Sequence, residues 1–155
     1  MKKNFFQIFI VFLITTSCGF KVYNQAELIN FSAEEIRTTG DSRINYNLKN
    51  KLISSLKNDY KEKIILIIET KKNKTIKEKN IKNEITKYQI SIDANIKIES
   101  TDFNIKPFMV QEKGDYSISS QHSRSINAEK KLIKQLSNNL SDKILEELLF
   151  RINDI

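Results

Sequence analysis

The chain has 155 residues, a single cysteine, a single histidine and a formal charge of +7. A lone thiol excludes an intramolecular disulfide, and the absence of Cys, His and carboxylate clusters at ligand spacing argues against a metal site or other cofactor. The length suits one hydrophobic core, with no internal repeat and no sign of a second domain.

The first residues read as an export signal. Lys2 and Lys3 precede an apolar run from Phe5 to Ile14, broken only by Gln7, and small Thr16 and Ser17 stand before Cys18. The run is too short for a permanent membrane helix, which needs about 20 apolar residues. This layout predicts residues 1–17 as a lipoprotein signal peptide and residues 18–155 as the mature domain, lipidated at Cys18. The match departs from the usual lipobox, because Thr15 stands where leucine is common. An ordinary secretory signal with an incidental thiol is the competing reading. Export also bears on the charge. Loss of Lys2 and Lys3 lowers the positive balance, and arginine is scarce beside lysine, isoleucine and asparagine, as nucleotide bias would produce. The basicity is therefore weak support for an anionic partner, and an exported chain is not expected to bind nucleic acid.

A first strand is expected around residues 27–37, followed by a turn from Thr38 to Ser42 in which Asp41 or Ser42 caps a helix. Ile44, Leu48, Leu52 and Leu56 recur every four residues, with Tyr46 and Ile53 beside them, which predicts a helix of about four turns. Ile64-Ile65-Leu66-Ile67-Ile68 is an unbroken run of β-formers. It reads as a strand buried on both faces, or as one whose second face meets a partner. The lysine-rich stretch from Thr70 to Lys82 reads as a solvated hairpin connection or two frayed strand ends.

Tyr88, Ile90, Ile92, Ala94, Ile96 and Ile98 alternate strictly with polar residues, the pattern of a half-buried strand. A connection around Ser100–Lys106 leads to Pro107, suited to a strand start. Phe108, Val110, Tyr116 and Ile118 then share one parity, with Gly114 a candidate bulge. The two segments predict an antiparallel hairpin with one apolar face. Ser117 to Ser125 reads as a loop. From about Asn127, Leu132, Leu136, Leu140, Ile144, Leu148 and Ile152 mark a helix of about seven turns. The expected architecture is α+β, with both helices on one face of an antiparallel or mixed sheet. No nucleophile with its base and no paired carboxylates stand out, so the chain is not expected to be an enzyme.

Several stretches together resemble one family. They are Cys18-Gly19-Phe20, Leu48 to Leu56, Glu84-Ile85-Thr86-Lys87-Tyr88-Gln89-Ile90, Ala128-Glu129 and Leu140-Ser141-Asp142-Lys143-Ile144. In order and spacing, over nearly the whole length, the chain is similar to the lipopolysaccharide-assembly lipoprotein LptE. The resemblance implies a two-helix, four-stranded sandwich held by N-terminal acyl chains at the periplasmic side of the outer membrane. It also implies an LptD β-barrel as partner and lipopolysaccharide as ligand. An auxiliary lipoprotein of an ABC-type lipid transporter is the alternative. A lipopolysaccharide binder needs cations near an apolar edge, and Lys82, Lys87, Lys106 and Lys113 flank the expected hairpin as candidates. Solvated surface lysines are the bland alternative. Lysine where relatives often carry arginine offers a point charge rather than a bidentate fork.

Overall fold

A computed structural model describes residues 31–56, 60, 62–101 and 104–153; the export segment and Cys18 lie outside the described residues. Among the described residues six elements follow one another: β1 (Phe31–Gly40), α1 (Ser42–Ser55), β2 (Glu62–Lys79), β3 (Ile85–Glu99), β4 (Phe108–Ser117) and α2 (His122–Asn153). The strands form one sheet in the order β1-β2-β3-β4. The first pair is parallel and the other two antiparallel. A parallel pair needs a crossover, and α1 supplies it. Both helices lie on one face of the mixed sheet, the two-layer α+β arrangement expected.

Local chemistry accounts for each element. The Asp41 carboxylate accepts hydrogen bonds from the backbone N–H of Arg43 at 3.1 Å and of Ile44 at 3.2 Å, which starts α1. Its apolar stripe of Ile44, Leu48 and Leu52 is fully buried, while Tyr46 is largely exposed. On β3, Ile90, Ile92, Ala94 and Ile96 are buried and the intervening residues face the other way. Ser137 and Ser141 are buried in α2 because their hydroxyls donate to the carbonyls of Ile133 and Ser137. None of the helices described is long and apolar enough to cross a membrane.

Four expectations change. Of the two readings of the run Ile64–Ile68, burial on both faces falls: Ile64, Leu66 and Ile68 enter the core, and Ile65 and Ile67 are half-buried on the other face. The lysine-rich stretch is largely strand, since β2 pairs with β3 from Ile65↔Glu99 to Lys79↔Ile85. Backbone pairing does not depend on side-chain hydrophobicity, so a polar segment forms a strand once a long partner lies beside it. The turn then closes over residues 80–84, with Asn83 at φ 63° and the Asn80 side chain accepting from the N–H groups of Lys82 and Glu84. Gly114 is not a bulge, because the β3–β4 register runs unbroken from Lys87↔Ser117 to Ile96↔Phe108. Instead the glycine admits α2: a Cβ there would lie 2.8 Å from Leu132 Cδ1. Finally, α2 begins at His122, within the expected loop. Its first turn is exposed and rests on local bonds such as Ser119 N–H to Ser125 Oγ at 2.8 Å, so it leaves no apolar period in the sequence.

Candidate functional site

The long β2–β3 hairpin overhangs the end of β1, while β4 accompanies β3 as far as Lys87↔Ser117. Pairing of β1 with β2 stops at Gly40↔Thr70, whereas β2 and β3 continue for the whole lysine-rich stretch. On the helix-facing side of this overhang the aliphatic side chains give way to Lys72, Lys74, Ile76, Tyr88 and, from β4, Tyr116. The first turns of α2 close the other side. Between them lies a cleft of about 360 Å³, whose walls include Lys74, Tyr88, Tyr116, Ser125, Ile126 and Glu129.

One polar cluster organises the cleft. Lys74 Nζ donates to Glu129 Oε2 at 2.7 Å, and the Tyr116 hydroxyl donates to the same oxygen at 2.7 Å. The ammonium also sits 4.4 Å from the centroid of the Tyr88 ring and 5.2 Å from that of Tyr116. The two rings stack with centroids 5.8 Å apart. Burial pushes the Glu129 carboxyl up, but the hydrogen bonds from Lys74 and Tyr116 outweigh it and hold the group below the usual carboxylate range. Burial likewise opposes the Lys74 charge, and Glu129 more than restores it. The Tyr116 hydroxyl is pushed up, chiefly by burial. A carboxylate held ionised in this way suits an ion pair rather than proton transfer at neutral pH.

The rim of the overhang is apolar as well as cationic. Ile76, Ile118 and Ile126 are substantially exposed, and Ile81 at the turn is fully so. Lys77, Lys79 and Lys82 stand among them, all exposed. This combination fits an amphiphile that carries anionic groups above hydrocarbon.

The four lysines expected from the sequence do not form one cluster. Lys82 sits in the hairpin turn. Lys87 and Lys113 share the sheet face away from the helices, as their parity implied, but Lys87 is paired with Glu78 at 2.9 Å and Lys113 lies opposite Ser91. Lys106 precedes β4 near the Ile96↔Phe108 pair, about 30 Å along the strands from Lys87. The cleft residues Lys74 and Glu129 were missed as site residues, although the signal was present. Carrying the even-numbered parity of Ile64, Leu66 and Ile68 onward through Thr70 places Lys72 and Lys74 on the helix-facing side.

Among the described residues no group of three or more His, Cys, Asp or Glu could hold a metal ion. No family model matches the sequence, and no curated protein matches it. Solved structures do match in shape. Rare lipoprotein B from Shewanella oneidensis aligns with a TM-score of 0.57 at 10% identity, over 74% of this chain and 92% of that one. A minor lipoprotein from Acinetobacter baumannii aligns with a TM-score of 0.59 at 13% identity, over 78% and 92%. Lipoprotein B from Nitrosomonas europaea, described as uncharacterized, aligns at 0.53 and 13% identity, over 84% and 90%. The chain has the fold of these lipoproteins. Since the alignments take in nearly all of each neighbour, the shared unit is the whole two-layer domain rather than a common hairpin.

Proposed function

We propose that this protein is an outer-membrane lipoprotein of the LptE kind. In this reading it is anchored through Cys18 on the periplasmic side of a Gram-negative envelope, partners an LptD-like β-barrel and binds lipopolysaccharide during its delivery to the surface. The observation that carries the reading is the likeness in fold to rare lipoprotein B over nearly the whole of that protein, beside the resemblance of the sequence to the LptE family. The sequence adds Cys18 after a short export segment, at the position an acyl anchor needs. The overhanging hairpin adds cations beside exposed isoleucines, which matches the phosphates and acyl chains of a glycolipid. The role is one of binding and assembly, not catalysis.

Affinity capture of the full-length chain from a detergent-solubilised outer membrane tests the partnership. Recovery of a β-barrel together with lipopolysaccharide is the expected outcome. Recovery of an inner-membrane ATPase complex instead would replace this reading with that of an auxiliary lipoprotein of an ABC-type lipid transporter.

A further inference from the structure

We propose that the edge of β2 from Lys71 to Ile76, along which no described strand lies, is a docking slot for an extended acidic segment of a partner protein, which joins the sheet as a short strand in line with β1. The slot exists because of one residue. Gly40 ends β1 at φ +111°, and a Cβ there would fall 2.0 Å from the Thr70 carbonyl oxygen. Glycine thus lets the chain leave the sheet at Thr70. Beyond that point β2 continues to pair with β3, without a register shift through Ile76↔Tyr88. Among the described residues, no strand lies along the other side of this segment. Six residues make an ordinary strand length, and an open edge presents unpaired backbone donors and acceptors in register for another chain.

The two outer edges of the sheet are less suited. The β1 pairing is interrupted by a bulge between Ala33 and Glu35. On β4, Lys143 from α2 donates to the Gln111 carbonyl oxygen at 3.5 Å and also contacts the Glu112 carboxylate.

Charge selects the occupant of the β2 slot. Lys71, Lys72, Lys74, Lys77 and Lys79 line this part of β2, and its one carboxylate, Glu78, is taken by Lys87 at 2.9 Å. A second copy would set lysine against lysine, a repulsive pairing. An acidic neighbour is favoured, and the chain supplies a small example: Asp41, where β1 departs, places a carboxylate oxygen 2.8 Å from Lys72 Nζ. Asp41 and Glu129 occupy Lys72 and Lys74, while Lys71 and Lys77 are exposed and available to the incoming strand. Main-chain pairing provides the contact and alternate acidic side chains the selection. Backbone pairing at this edge requires no bound glycolipid, although Ile76 and Lys77 also belong to the rim of the cleft.

The test uses the full-length chain in detergent and a short dye-labelled peptide alternating valine and glutamate, read by fluorescence anisotropy and amide exchange. Saturable binding with slowed exchange at Lys71–Ile76 is expected. N-methylation of alternate peptide amides, and separately the Lys71→Glu/Lys77→Glu variant, should each weaken binding by about tenfold or more. Absence of binding, slowed exchange confined to β1 or β4, or self-association of the chain through this edge would overturn the proposal. So would an N-methylated peptide that binds as well as its parent, since charge attraction alone would then explain the affinity.

Discussion

The Glu129 carboxylate ties together three elements: β2 through Lys74, β4 through Tyr116, and its own helix α2. Because its pKa is depressed in the folded chain, its contribution is present above the ordinary carboxylate range and is lost as pH falls through the folded value. Asp41 follows the same sign: burial raises its pKa, but Lys72 and the α1 backbone N–H groups outweigh this and lower it. Glu129→Gln should therefore lower stability at neutral pH and flatten its decline below about pH 4, as urea unfolding across pH would record. The two structurally informative glycines should differ. Gly40→Ala meets backbone at positive φ and should cost about 1–3 kcal/mol or more. Gly114→Ala meets only the movable side chains of Leu132 and Leu136 and should cost less.

At the scale of elements, the alternating strand β3 divides the molecule into a dry face and a wet one. Ile92 is fully buried, so Ile92→Asp strands a carboxylate in the core and should destabilise by several kcal/mol, a large part of an ordinary domain's stability. Asp93, one residue on, faces outward and accepts from Gln111 Nε2 at 2.5 Å and Asn73 Nδ2 at 3.3 Å. Asp93→Ala should cost no more than about 1.5 kcal/mol. Equal losses in chemical denaturation would contradict this division of faces. The same strand was legible in the sequence because its two faces differ in polarity at every step. The lysine-rich end of β2 was not, since both of its faces are polar and its pairing comes from the backbone of β3.

For the whole molecule, the proposed role makes two demands. Cys18→Ala should leave an unprocessed or soluble form, because acyl chains contribute about 0.8 kcal/mol per buried methylene to membrane attachment; fractionation of the envelope checks it. Lys79→Glu/Lys82→Glu, at the hairpin end, should weaken binding of purified lipopolysaccharide at low salt, with the difference shrinking as salt rises. Lys106→Glu, at the far end of the strands, should bind nearly as the parent does. Equal loss from both variants would make the effect one of net charge rather than of place.

Taken alone, the sequence determined what depends on local period and local chemistry. The four-residue spacing of Ile44, Leu48 and Leu52 set α1, the pair Asp41-Ser42 set its start, and the period of two set β3 and its inward face. Tertiary structure decided what depends on neighbours distant in the chain. It made a strand of Lys71–Lys79, used Gly114 to seat Leu132 rather than to form a bulge, and brought Lys74, Tyr116 and Glu129 to one point from three elements. The reason is physical. Side-chain periodicity reports which face of an element meets the core, whereas backbone pairing and close approach depend on the partner, and no local pattern names the partner.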